Sequence, residues 1–225
     1  MTAYDDFLRA KVRLAEPKGF EVDPSTFNPL LKPHQRAIAT WLVCQGRAAC
    51  FAAFCLGKSV IQLEVVRVTR ELAGGFALIT IPLGVRQEFY RDAAMLGITV
   101  RFIRSFEEVD DPAVIYLTNY ETVRDGKLDP RRFSVASLDE ASCLRGFGGS
   151  KTFREFIALF AGDDRAAGIR GEGVRYRYVA TATPSPNEYI ELLAYSAAAV
   201  IARELLAELM GENPTWEDFE WEVWA

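Results

Sequence analysis

The stretch Ala49-Cys50-Phe51-Ala52-Ala53-Phe54-Cys55-Leu56-Gly57-Lys58-Ser59 decides how this chain of 225 residues reads. An apolar run of strand length, Ala49–Phe54, enters Gly57-Lys58-Ser59, and an amphipathic stretch, Lys58–Leu72, follows. Strand, tight turn and helix in that order are the setting a phosphate-binding loop requires. The backbone N–H groups of Ala53, Phe54, Cys55, Leu56 and Gly57 are then placed at a helix N-terminus, where unpaired amides and the helix dipole favour an anion. Lys58 reaches toward β- and γ-phosphates, and the Ser59 hydroxyl is the expected ligand of Mg²⁺. Alone, the octet leans toward that loop but also fits an ordinary strand–turn–helix that contains Gly-Lys-Ser by chance. The surroundings have to decide.

Downstream, short apolar runs alternate with amphipathic ones. Strands are expected at Ala49–Phe54, Phe76–Ile81, Val100–Ile103, Ala113–Leu117, Val135–Leu138 and Tyr176–Ala180. Helices are expected at Lys58–Leu72, Val85–Leu96, Thr152–Phe160 and Glu188–Met210, and upstream at Pro33–Cys44, with Ile38, Trp41 and Leu42 on one face. Apolar strands separated by helices imply an α/β domain of three layers, with a mainly parallel sheet covered on both sides.

Two of those strands end in chemistry. Val135-Ala136-Ser137-Leu138-Asp139-Glu140 is an apolar strand closing on two carboxylates. Asp139 is placed to hold Mg²⁺, directly or through water, and Glu140 to orient or deprotonate an attacking water. A helix N-terminus also favours acids, so this pair alone is not specific. Tyr178-Val179-Ala180-Thr181-Ala182-Thr183-Pro184 is a second apolar strand, ending in hydroxyls. The ordered series is far more specific than any member of it.

Together these segments resemble the first RecA-like lobe of superfamily 2 helicases, and most of all the SNF2-like helicases of phages and prophages. The resemblance runs from about Leu30 to Tyr195. It maps motif I onto Ala52–Ser59, motif II onto Asp139-Glu140-Ala141-Ser142 and motif III onto Thr181-Ala182-Thr183-Pro184. It implies a RecA-like P-loop NTPase domain that binds ATP and Mg²⁺, with Lys58 and Glu140 catalytic, Ser59 and Asp139 on the metal, and Thr181 and Thr183 coupling the nucleotide state to DNA. Leu31-Lys32-Pro33-His34-Gln35 resembles the segment in which a glutamine, here Gln35, reads the adenine edge. Ile81–Arg86 resembles motif Ia and Leu117–Glu121 motif Ib, so that Arg86, Thr118, Asn119 and Tyr120 are the expected contacts to the backbone of double-stranded DNA. The implied partners are DNA and a second RecA-like lobe or partner protein.

The pattern departs from the family at Cys55, where the family has glycine. A Cβ there crowds the phosphate or strains a loop that prefers glycine's freedom. No segment after Pro184 shows motifs V and VI or the arginine finger of a second lobe. An isolated lobe is therefore expected to bind nucleotide better than it turns it over. The organisation expected is an N-terminal extension (residues 1–30), the ATP-binding lobe (31–195), and a C-terminal helix with an acidic, Trp-rich tail (196–225).

The net charge of −5 argues against a nucleic-acid binder driven by bulk electrostatics, though not against a local basic groove. Four cysteines without a CxxC pair and a single histidine, His34, make a zinc site improbable and reduced thiols the default. Cys44, Cys50 and Cys143 are expected as small buried groups and His34 at the surface. With no secretory h-region or membrane-length apolar run, the expected setting is cytoplasmic, in a bacterial or phage-infected cell. Arg145, Lys151, Arg154, Arg170, Arg175 and Arg177 are either a DNA-facing patch or a solvated loop. The tail aromatics either cover apolar surface of this lobe or bind a partner. Two functions stay open: an ATP-hydrolysing translocase lobe, and a nucleotide- or partner-binding regulator without turnover.

Overall fold

In a computed structural model, strands β1 (Arg47–Phe51), β2 (Ala77–Ile81), β3 (Val100–Phe102), β4 (Ile115–Asn119), β5 (Val135–Asp139) and β6 (Tyr176–Thr181) form one sheet in the order β1-β6-β5-β2-β4-β3. The structure describes residues 17–53, 55–141, 155–156, 158–160, 162 and 173–182. Every pairing is parallel. Strands β2, β4 and β5 are buried along their whole length, which is why their sequences are continuous apolar runs rather than alternating ones.

Helices α1 (Pro33–Gln45), α2 (Lys58–Ala73) and α3 (Arg86–Leu96) lie on one face. Their Leu42, Ile61, Val65 and Phe89 pack with Ile79, Leu117 and Tyr178 of the sheet. Successive strand residues point to opposite faces. Leu78, Tyr116, Leu138 and Val179 accordingly pack on the other side with Val123 of α4 (Tyr120–Arg124) and with Phe156 and Phe160. Two apolar layers separated by one sheet make the three-layer architecture. Burial of this kind contributes about 25 cal/mol per Å² of apolar surface.

Several details differ from the sequence reading. Strand β1 stops at Phe51, because the chain must leave the sheet there to build the loop. The buried face of α1 is Gln35, Ala39, Leu42 and Val43, whereas Trp41 is 51% exposed. Contact with α2 falls at that spacing, one step off the expected face. Helix α4 has no sequence signal, since its five residues are too few to show a period. Residues 17–30 are not set apart from the lobe: Phe27 is buried in the core, and the amides of Lys18, Gly19 and Phe20 donate to the last carbonyls of α1. Glycine is needed at 19, where a Cβ would come within 1.9 Å of the Val43 carbonyl oxygen. Residues 155–156 and 158–160 are helical, as expected of Thr152–Phe160. Residues 1–16, the expected helix Glu188–Met210 and the tail lie outside the described residues.

Candidate nucleotide and magnesium site

A parallel sheet brings all its strand C-termini to one edge, where loops and helix N-termini converge. The strand register makes this specific. Phe51 pairs with Thr181, and Asp139 with Ala180. The loop after β1, the carboxylates after β5 and the hydroxyl ending β6 are therefore neighbours, although Ser59 and Thr181 are far apart in sequence.

The loop closes on Gly57, which has φ 74° and forms the N-cap of α2. Its missing Cβ leaves room for Gln35, whose amide nitrogen would lie 2.3 Å from such an atom. Gln35 is buried and works in two directions. Its Nε2 donates to the Leu56 carbonyl at 3.1 Å, and its Oε1 accepts from the Lys32 amide at 2.9 Å, capping α1. The side chain expected to read adenine thus also braces the loop after β1. Cys55 has φ 66°, so the left-handed turn expected to suit glycine is made here by a residue with a Cβ. That conformation costs an L-residue about 1–2 kcal/mol. Phe54 lies outside the described residues.

Ser59 opens α2, is 7% exposed, and its hydroxyl donates to Asp92 Oδ2 of α3. One turn along α2, Gln62 Nε2 donates to Asp139 Oδ1 at 2.7 Å. Ser137 fixes that amide by donating to Gln62 Oε1 at 2.8 Å. Burial pushes the Asp139 carboxyl up to about 6. The Gln62 hydrogen bond and the Lys58 ammonium oppose the rise, while Glu140 and Glu88 add to it. Glu140 follows with φ 47°, a second non-glycine residue in the left-handed region. Thr181 Oγ1 donates to Glu140 Oε1 at 3.0 Å, and the Tyr120 hydroxyl donates to the Asp139 carbonyl at 2.6 Å. Backbone strain held by surrounding hydrogen bonds is typical of working sites. A buried carboxyl and a serine hydroxyl are hard oxygen donors suited to Mg²⁺. Asp139's carboxyl is raised chiefly by burial, and a cation at this edge would favour its charged form.

Sequence reading did not find Asp92, Gln62 or Ser137, because none belongs to a motif and each is recruited by packing across α2, α3 and β5. Thr183 lies outside the described residues.

The expected nucleic-acid contacts are placed differently from one another. Arg86 is partly exposed, with its guanidinium 4.5 Å from the Phe102 ring centroid. Thr118 is fully buried, and its hydroxyl donates to the Ile103 carbonyl at 3.0 Å. Asn119 is bonded to Glu121 and Thr122. Tyr120 packs on Phe156 and reaches Asp139 instead of solvent. A DNA contact by the side chains of Thr118 and Tyr120 does not follow from this placement: Thr80–Thr118 pairing draws the strand end inside the lobe. Of the basic residues, Arg175 is exposed, but Arg177 lies within β6 at 2% exposure, where burial lowers its guanidinium to about 10. Arg177 is thus no member of a solvated patch. Arg145, Lys151, Arg154 and Arg170 lie outside the described residues. His34 is at the surface, Cys44 half-buried, and Cys50 a buried thiol pushed up to about 11 by burial. Among the described residues, no helix is long and apolar enough to cross a membrane.

The sheet order, the loop and the converging strand ends are those of a RecA-like α/β fold. Among solved structures, the SWI2/SNF2 ATPase core of Sulfolobus solfataricus in complex with dsDNA is similar, with a TM-score of 0.65 and 17% identity over 89% of this chain and 40% of that one. The same core domain in another structure gives 0.61 at 16% identity over 92% of this chain and 42% of that one. The UvsW helicase of bacteriophage T4 gives 0.54 at 14% identity over 88% of this chain and 66% of that one. The chain thus spans about 40% of the length of the Sulfolobus core. At these identities the likeness is one of fold. Compared by sequence, the chain matches no protein-family profile and no curated protein.

Proposed function

We propose that residues 31–195 are the ATP-binding and ATP-hydrolysing lobe of an SNF2-like DNA translocase, acting with a second RecA-like lobe. The observation that carries this reading is the hydrogen bond from Thr181 to Glu140, made at the end of β6, which lies between β5 and the strand that leads to Lys58 and Ser59. Any parallel sheet gathers its strand C-termini on one edge, so the support comes from the direct bond between the two segments rather than from the shared edge.

In this reading the loop amides and Lys58 bind the phosphates of ATP, and Ser59 and Asp139 hold Mg²⁺. Mg²⁺ held there would supply positive charge against the charge developing on the transferred phosphoryl group. Glu140 takes a proton from the attacking water, and Thr181 holds its carboxylate in place. Thr181 also senses Glu140, so a change there passes to the end of β6 and on to DNA. Double-stranded DNA is the proposed track, because the similar Sulfolobus core was solved with dsDNA. Arg86 and backbone amides beside β4 are the proposed contacts.

An arginine finger from a second lobe is worth 10³–10⁵ in rate, about 4–7 kcal/mol, so this chain alone should turn over slowly. The test is ATP binding and hydrolysis with and without duplex DNA. Measurable ATP affinity, lost in Lys58→Ala, supports the reading. Its absence in the parent chain sinks it, and DNA-stimulated turnover at about 1 s⁻¹ or faster refutes the need for a second lobe.

A further inference from the structure

We propose that Asp92 on α3 is the positioning residue for the metal-binding hydroxyl of Ser59. This rests on the nucleotide-site reading above and extends it to a residue outside every motif. Ser59 Oγ lies 2.5 Å from Asp92 Oδ2, across 33 residues of sequence and between two helices. Asp92 is 8% exposed, so this acceptor is built into the α2–α3 contact rather than borrowed from the surface. Its other oxygen, Oδ1, accepts from Arg91 Nε and Nη2 at 3.3 Å.

A hydroxyl has one proton and two lone pairs. A cation bound to the oxygen takes a lone pair, so the proton must point away from the metal and needs an acceptor there. Carboxylates behind metal ligands commonly serve this purpose, fixing orientation and raising ligand basicity. The other proposed ligand has its own support: Asp139 Oδ1 is held by Gln62, which is held by Ser137. The two ligands are thus aimed by separate elements, Ser59 by α3 and Asp139 by α2 and β5. Because α3 follows the segment read as a DNA-facing motif, a shift of α3 would disturb one Mg²⁺ ligand and leave the other in place.

The prediction separates metal from nucleotide. Phosphate binding by Lys58 and the loop amides does not involve Asp92, whereas Mg²⁺ affinity of the nucleotide complex does. Binding of ADP is measured by calorimetry in EDTA and across a Mg²⁺ titration, for the parent, Asp92→Ala, Ser59→Ala and the double variant. Asp92→Ala should weaken Mg²⁺ affinity by about 10–100-fold and leave metal-free ADP affinity unchanged. The double variant should be no weaker than Ser59→Ala alone, since Asp92 acts through that hydroxyl. Parent-like Mg²⁺ affinity in Asp92→Ala overturns the proposal, as do losses that multiply in the double variant or an equal loss of ADP affinity in EDTA. If Asp92→Ala does not fold, Asp92→Asn keeps the shape with a weaker acceptor: a loss confined to Mg²⁺ supports the proposal, and parent-like Mg²⁺ affinity overturns it. A parent chain that binds no ADP in either condition overturns the nucleotide-site reading itself, and this proposal with it.

Discussion

The two edges of the sheet solve the same problem, turning the chain between a strand and a helix, in opposite ways. Before β1, β2, β3 and β5 the chain reverses through Gly46, Gly74, Gly97 and Gly126, all with positive φ and none carrying a Cβ to strain. At the C-terminal edge, Cys55 and Glu140 take positive φ despite their side chains, and among the described residues they are the non-glycine residues that do. That edge also holds Asp139, whose carboxyl is pushed up to about 6. One edge is relaxed, and the other keeps strain and desolvated charge in place through hydrogen bonds from Thr181, Tyr120 and Gln62. The difference teaches that glycine relieves the turns at one edge, while the other, where the proposed nucleotide site lies, keeps strained and desolvated residues at some cost to stability.

The sharpest way to break that contrast is Glu140→Gln. It keeps the shape and the bond from Thr181 but removes the basic carboxylate. ATP binding should persist while hydrolysis falls by 10²–10⁴, about 3–5 kcal/mol in the barrier. Hydrolysis at the parent rate in a single-turnover assay removes Glu140 from the mechanism.

Next in size is Asp139→Asn, which should stabilise the chain without Mg²⁺ by about 1–3 kcal/mol at neutral pH while weakening Mg²⁺-dependent nucleotide binding. The pH dependence has a definite sign. The folded state holds its proton up to about 6, against 3.8 for the ordinary carboxyl. The stabilising effect of this group is therefore complete below about 3.8 and lost as pH rises through about 6. The advantage of Asp139→Asn in urea denaturation should grow across that window. An advantage independent of pH would mean that Asp139 is not desolvated.

The quiet edge offers a control. Gly97→Ala puts a Cβ at φ 69° in open space, with nothing within 4 Å, and should destabilise by about 1 kcal/mol through backbone strain. Nucleotide affinity should not change. If it does, the two edges are coupled and the contrast fails.

The smallest effect is expected from Cys55→Gly. Relief of the turn at φ 66° is partly offset by the greater freedom of glycine in the unfolded chain, leaving about 0.5–1 kcal/mol of stabilisation. Nucleotide affinity should rise with it. A fall in affinity would show that the cysteine side chain takes part in binding.

The linear sequence reached far into the fold because each strand is buried on both faces, and burial leaves a continuous apolar run such as Leu78–Ile81 or Val135–Leu138 that ends at a fixed kind of residue. It could place Lys58 and Ser59 at a helix start after the first strand and Asp139, Glu140 and Thr181 at strand ends, and parallel strands put those ends on one edge. It misread the outer face of α1, missed α4, and took Thr118 and Tyr120 for surface contacts, because periodicity reports which residues are apolar and not what covers them.

By itself, then, the sequence determined the α/β alternation, the strand–turn–helix around Gly57 and the series of strand ends, all of which are local or periodic properties of the chain. Tertiary structure alone decided strand order, the pairing of Phe51 with Thr181, and the hydrogen bonds of Asp92 to Ser59, Gln62 to Asp139 and Tyr120 to the Asp139 carbonyl. These join residues 33, 77 and 19 positions apart. Directional contacts over such separations depend on how helices seat against the sheet, and that seating leaves no spacing in the chain from which to read it.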